Sequence, residues 1–362
     1  MLIDRRALLR GGAATGMSVL APLPLQASGH PDDAKIDAFV KANGFAGSIL
    51  RAKAGSPVYA RNFGLANIAA NTPATTDTVY GIASISKFLT TVTVLRLVEA
   101  GKLALDAPIA TLLPDYRADT GARVRLAHLL SNTSGIPNGF SVATKAEPDL
   151  VSRDLGTAEA VRRFASGDLA FEPGSRFDYA MTNWFIVVAI VEAVTGKPFQ
   201  QAMRAITLDP IGLSHTTAAL GTENRPGSAL SYRTVEPPVE WGNPRTPAMA
   251  ASGGYFSNAP DLLRAAHAVF DRRFVSPASL TALRTVRVAD QDYSLGGRVR
   301  TMMIGGKPVE AAWETGRTAG YRTLLAHRYD TQDSIVLLNN TGISQKAIDL
   351  FADELFGAAP RA

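Results

Sequence analysis

Short apolar runs bounded by turn residues mark both ends of this chain, and longer apolar stretches fill its middle. Residues 46–52 and 58–64 predict two strands, and the Lys53-Ala54-Gly55-Ser56-Pro57 turn between them makes the pair an antiparallel hairpin. Residues 298–304, 309–313, 321–328 and 334–339 predict four further strands, with turns at Gly305-Gly306 and Asp330-Thr331-Gln332-Asp333 and a closing helix over 344–356. Strands at both ends imply one sheet assembled from both. From Ser84 onward, Phe88, Leu89, Val92, Val94, Leu95, Leu97 and Val98 make a helix that is apolar nearly all round, with Gly101 where it should stop. Such a helix belongs inside the protein rather than on its surface. A second apolar stretch, 184–191, is too short to span a bilayer and predicts a buried helix ending at Gly196. The stretch 224–247, rich in Pro, Gly and Arg, predicts a long surface loop placed to roof a cleft.

Composition narrows the class. With 362 residues, 46% hydrophobic and 19% charged, the chain has the balance of a folded protein with one large domain or two interleaved lobes. The absence of cysteine excludes disulfides, thiol nucleophiles and thiolate metal sites. Residues 1–27 carry Arg5-Arg6, a mild Gly/Ala/Leu run and Leu25-Gln26-Ala27 before a polar stretch, which predicts a twin-arginine export signal and a periplasmic or secreted bacterial protein. No stable membrane insertion is expected once that segment is removed. The net charge of +5 falls further without Arg5, Arg6, Arg10 and Asp4, and no dense Lys/Arg tract supports nucleic-acid binding. The five histidines show no metal-ligand spacing, and neither a metal nor an organic cofactor is implied.

The candidate chemistry lies at Ser84-Ile85-Ser86-Lys87. Residues three apart on a helix are neighbours, so Lys87 can reach Ser84. A serine hydroxyl is a poor nucleophile until a base or cation takes or stabilises its proton, and the positive end of a helix favours the negative charge that develops. No G-x-S-x-G elbow offers a competing nucleophile.

The text around this tetrapeptide, Thr75 to Lys87 and then Glu99-Ala100-Gly101-Lys102-Leu103-Ala104-Leu105-Asp106, resembles the serine β-lactamase and penicillin-binding-protein superfamily. The closest likeness is to its class C-like branch, which holds family VIII esterases and D-aminopeptidases. The likeness continues through Leu129 to Pro137, Glu172 to Tyr179 and Ser252 to Ser257, covering most of the chain. It implies an α+β fold, with an antiparallel sheet of N- and C-terminal strands flanked by helices, and a mainly helical second lobe. Residues 28–104 and 285–362 would form the α/β lobe and 105–284 the helical lobe, with the Ser84 helix central and the active site between them.

The same resemblance assigns roles. Ser84 would be the nucleophile, Tyr179 the tyrosine that meets it with Lys87, and the backbone N–H groups of Ser84 and Arg317 the oxyanion hole. Either Tyr179 or Lys87 can serve as the proximal base; a phenol titrates near 10 unless a neighbouring ammonium lowers it. Two positions depart from the pattern. The third residue of the usual Tyr-x-Asn is Met181, leaving Asn183 as the alternative polar group, and the Lys or His of the third motif is replaced in Glu314-Thr315-Gly316-Arg317. An ionised Glu314 facing the cleft would repel a substrate carboxylate; equally, it would be a structural partner of Arg317, Arg322 or Lys87. Asn132, where relatives often place a histidine, reads as a loop-structure residue, and His128 as one packed at a helix. The expected partner is a small-molecule ester or amide, peptidoglycan-derived ones included: small carboxylic esters first, D-amino-acid amides or peptides next, β-lactams last. The reading outside the enzyme class is a silent relative that binds cell-wall fragments.

Overall fold

The helix α1 (Asp33–Asn43) precedes strands β1 (Gly47–Lys53) and β2 (Ser56–Phe63). A long middle section contains α2 (Ile85–Glu99), α3 (Met181–Thr195) and α4 (Ala259–Phe270). The chain returns with β3 (Val299–Ile304), β4 (Lys307–Thr318), β5 (Tyr321–Arg328) and β6 (Ser334–Asn339), and α5 (Gln345–Phe356) closes it. This computed structural model describes residues 29–218, 227–271 and 274–360, so the expected export signal at 1–27 lies outside the described residues.

The six strands form one antiparallel sheet in the order β3-β4-β5-β6-β1-β2. The two ends of the chain therefore meet at the β1–β6 ladder, which runs from Gly47 opposite Asn339 to Ala52 opposite Ser334. Every residue of β6 is buried, because both faces of the sheet are covered. Alternation along the strand sends Ile335 and Leu337 to the layer shared with Ile36 of α1 and Ile348 and Phe351 of α5. Val336 and Leu338 enter the other layer, with α2 and α4. Truncating Leu337 to alanine should remove about 2–5 kcal/mol of stability, measured by denaturant unfolding, since neither layer can collapse into the gap without moving the sheet.

All of α2 is buried except Arg96, Val98 and Glu99, as its all-round apolarity requires. Two of its buried hydroxyls are satisfied inside: Thr90 donates to the Ala251 carbonyl at 3.0 Å and Thr93 to that of Leu89 at 3.0 Å. The helix closes where expected, with Gly101 N–H returning to the Val98 carbonyl at 2.9 Å. A single core cluster runs from Leu50 and Val336 of the sheet through α2 to Trp184 and Phe185 of α3 and Leu129 and Phe140 of the helical section. The helix that follows Ser84 is thus packed from both sides. No helix among the described residues is long and apolar enough to cross a membrane.

Three local features differ from the sequence expectation. The helix α1 is not predicted by its pattern, because only Ile36 of its eleven residues is fully buried. The strand β4 continues through Thr318 instead of ending at Trp313, so the third motif is part of the sheet. The described part of the expected roof, 227–247, contains a hairpin of Tyr232–Val235 with Pro238–Glu240. Tyr232 ties it to the rest of the fold: its N–H donates to the Asn340 carbonyl at 2.9 Å and its hydroxyl accepts from Ile68 N–H at 2.8 Å. Together with the bonds of Asn243 and Arg245 to Thr318, this buried aromatic fixes a segment whose composition suggests a free loop.

Candidate active site

The approach to Ser84 is clamped on two sides. Tyr80–Gly81 pairs with Tyr255–Ser257, and Ile82 N–H donates to the Tyr255 carbonyl at 3.0 Å. Ala83 then adopts φ of 45°, a left-handed conformation that costs a non-glycine residue on the order of 1–3 kcal/mol and persists only where the surroundings enforce it. That turn delivers Ser84 to the first turn of α2, where its N–H has no acceptor among the described residues.

Lys87, 3% exposed, lies one turn further on. Its Nζ donates to Ser84 Oγ at 3.2 Å and to the Ser252 carbonyl at 2.5 Å. Tyr179 arrives from the segment preceding α3, and its hydroxyl lies 2.8 Å from Ser84 Oγ. The Lys87 ammonium also sits 4.9 Å from the Tyr179 ring centroid and 5.5 Å from that of Trp184. Burial of the phenol pushes its pKa up, but the Lys87 charge, hydrogen bonds with Lys87 and Ser84 and the charge of Arg298 outweigh burial, leaving Tyr179 below its ordinary value of 10.0. One flank of the ring remains open to the cleft, the residue being 41% exposed.

Asn132 fixes the loop that carries Tyr179. Its φ of 55° is one that asparagine tolerates, and its carbonyl accepts from Asp178 N–H at 2.9 Å. Its side chain donates to the Tyr293 hydroxyl at 3.0 Å and accepts from Asn183 Nδ2 at 3.2 Å. Asn183 in turn accepts from Ser134 Oγ at 2.6 Å and is fully buried. Asn183 is therefore a scaffold residue, not the substrate-facing group the sequence offered. Met181 is likewise off the cleft: it opens α3 and packs on the core. His128 sits on the short helix Leu126–Leu130 and accepts from Arg125 N–H at 3.2 Å, a structural role as expected.

Beside Ser84 and Tyr179 opens a cavity of about 330 Å³, with Glu314, Thr315 and Arg317 of β4 along one wall. Tyr293, Gly297 and Arg298 close it, and none of these three was legible as a site residue, because they come from an irregular segment with no periodic signal. The edge of β4 places the backbone N–H expected as an oxyanion donor. β3 pairs with β4 only as far as Ala312, and Trp313 N–H donates to the Arg298 carbonyl at 2.9 Å. Alternation then points the N–H groups of Thr315 and Arg317 to that same, unpaired edge. Gly316 makes the approach possible, since a Cβ there would fall 2.2 Å from the Ile82 carbonyl oxygen.

Glu314 does not behave as an ion-paired carboxylate. It is 6% exposed and has no hydrogen-bond or ion-pair partner among the described residues, so the expected contact with Arg317, Arg322 or Lys87 is not made. Burial, only partly opposed by Arg298, pushes its pKa to about 8. At neutral pH the group is mostly an uncharged acid, and the anticipated repulsion of substrate carboxylates is largely absent.

The positions of Ser84, Lys87 and Tyr179 permit proton exchange at a serine hydroxyl beside backbone N–H groups that have no acceptor among the described residues. Residues 33–355 match the family model described as Beta-lactamase. The chain belongs to this family. Among curated relatives of this beta-lactamase-family protein, it is 34% identical over 193 residues to Esterase EstB of Burkholderia gladioli, covering 50% of this chain and 49% of that one. It is 32% identical over 164 residues to Penicillin-binding protein 4 of Amycolatopsis lactamdurans, covering 44% and 40%. The matched segments thus span about half or less of those relatives' own length. Among solved structures, a penicillin-binding protein from Bacillus halodurans superposes with a TM-score of 0.75 at 24% identity, covering 89% of this chain and 99% of that one. D-amino acid amidase from Ochrobactrum anthropi SV3 superposes with a TM-score of 0.72 at 20% identity, covering 89% and 98%. At such identities these structures establish the shared fold of helices and antiparallel sheet.

Proposed function

We propose that this beta-lactamase-family protein is a serine hydrolase that forms an acyl-enzyme on Ser84 and turns over small carboxylic esters. The observation that carries the proposal is the Ser84 hydroxyl held at once by Tyr179 at 2.8 Å and Lys87 at 3.2 Å, next to a cavity of small-molecule size. Tyr179, in the phenolate form that the Lys87 charge favours, takes the Ser84 proton as Oγ bonds to the substrate carbonyl carbon. The oxyanion rests on the N–H groups of Ser84 and Arg317. Collapse breaks the bond to the alkoxy oxygen, which takes the proton back from Tyr179 and leaves as the alcohol. Water then repeats the sequence on the acyl-enzyme and releases the acid.

Esters are favoured over amides and lactams because the cleft lacks the amide-holding group usual after the tyrosine, Met181 being packed on the core and Asn183 buried. The esterase among its relatives supports the same reading. Turnover of p-nitrophenyl acetate, D-alanine amide and a chromogenic cephalosporin should fall in that order; faster cleavage of the amide or the cephalosporin would overturn the ester assignment. With the Arg5-Arg6 segment as export signal, the reaction would take place in the periplasm or outside the cell.

A further inference from the structure

We infer that Glu314 is a specificity residue that donates a hydrogen bond from its carboxylic acid to a second acceptor oxygen of an uncharged ester, beyond the scissile carbonyl. The inference rests on the ester-hydrolase reading above and extends it to a substrate class: esters whose acyl or alcohol part carries an ether, keto or hydroxyl oxygen.

The geometry points there from two sides. Glu314 lines the cavity, yet it is 6% exposed and no described protein group satisfies either carboxyl oxygen. The two oxygens reach the cavity rather than being sealed inside the protein, so an acceptor on a ligand can replace the solvent that meets them there. Gly297 preserves the room. A Cβ at that position would lie 2.0 Å from Oε1 and 2.1 Å from Oε2, so any other residue there would displace the carboxyl from its place. The groups around it decide its charge. Arg298 and Tyr293 face it from the segment before β3, Tyr329 from the end of β5 and Tyr179 from across the cleft, with Lys87 below Tyr179 and Arg317 further along β4. The tyrosines offer no positive charge, and Arg298 does not offset the burial, so the acid remains protonated up to about pH 8. A protonated carboxyl is a donor, whereas the cations lining the same cleft disfavour an ammonium substrate.

The scissile carbonyl is taken by the backbone donors, and the alkoxy oxygen by Tyr179. The acceptor left for Glu314 is therefore a further oxygen.

The test compares p-nitrophenyl methoxyacetate with p-nitrophenyl butanoate, which differ by one oxygen in place of a methylene. Dividing the kcat/KM ratio of the wild type by that of Glu314→Leu cancels the intrinsic reactivity of the two esters. The expected quotient is roughly tenfold in favour of the methoxy ester, the worth of one hydrogen bond, with Glu314→Gln recovering most of it. The wild-type preference should also fade above about pH 8 while that of Glu314→Gln stays flat. Gly297→Ala, which crowds the carboxyl without removing it, should reproduce the Glu314→Leu ratio and covers the case in which Glu314→Leu fails to fold. Equal ratios in wild type and variants, with both esters turned over, would overturn the inference and leave the esterase reading standing. No turnover of either ester by folded wild type would remove both.

Discussion

Ser84→Ala is expected to abolish ester turnover and the single covalent adduct formed with a fluorophosphonate probe, both read on the same preparation by rate assay and intact mass. The loss should be roughly ten-thousand-fold or more, because no other described side chain can replace the attacking oxygen and the remaining donors only bind the substrate. The fold should survive the change. Lys87 keeps its bond to the Ser252 carbonyl and its position over the Tyr179 ring, so the buried ammonium is not orphaned. Circular dichroism on the variant separates loss of the nucleophile from loss of structure. An adduct that persists in Ser84→Ala would place the nucleophile elsewhere. No adduct in the folded wild type would instead favour a silent protein that binds cell-wall fragments.

Tyr179→Phe is expected to lower kcat roughly a hundred- to ten-thousand-fold with a smaller change in KM, since the hydroxyl moves a proton in the transition state and contributes little to binding the ground state. The pH profile carries the sharper signature. Tyr179 titrates below 10.0 because the Lys87 charge and its hydrogen bonds outweigh burial. The wild-type rate should therefore climb with pH as the phenol loses its proton, through a midpoint below that of an ordinary tyrosine, and Tyr179→Phe should lose this limb. The sign follows from the role: the base works deprotonated, so conditions that favour the phenolate raise the rate. If Tyr179→Phe retains the limb, the base is Lys87, and Lys87→Met should then remove it.

Much of this was legible in the residue pattern. The strands at both ends of the chain, the apolar helix from Ser84 and the stop at Gly101 all depend on local chemistry: period, turn residues and burial demand. Ser84 and Lys87 are one helical turn apart, so their meeting needed no tertiary information. Tyr179 was identified only by resemblance, as 95 residues of chain separate it from Ser84. Asn132 was legible as a loop former, but not its hold on Tyr293 and Asn183.

The sequence by itself determined which residue types are available, that Ser84 and Lys87 lie one helical turn apart, and that two chain ends build one sheet. The tertiary structure decided what those residues face. It buried Asn183 in a scaffold network, turned Met181 to the core and brought Tyr293, Gly297 and Arg298 to the cleft. It also decided the charge of Glu314, which the sequence offered as an anion. A carboxyl is ionised or neutral according to the solvent and partners around it, and those are set by contacts between segments far apart in the chain.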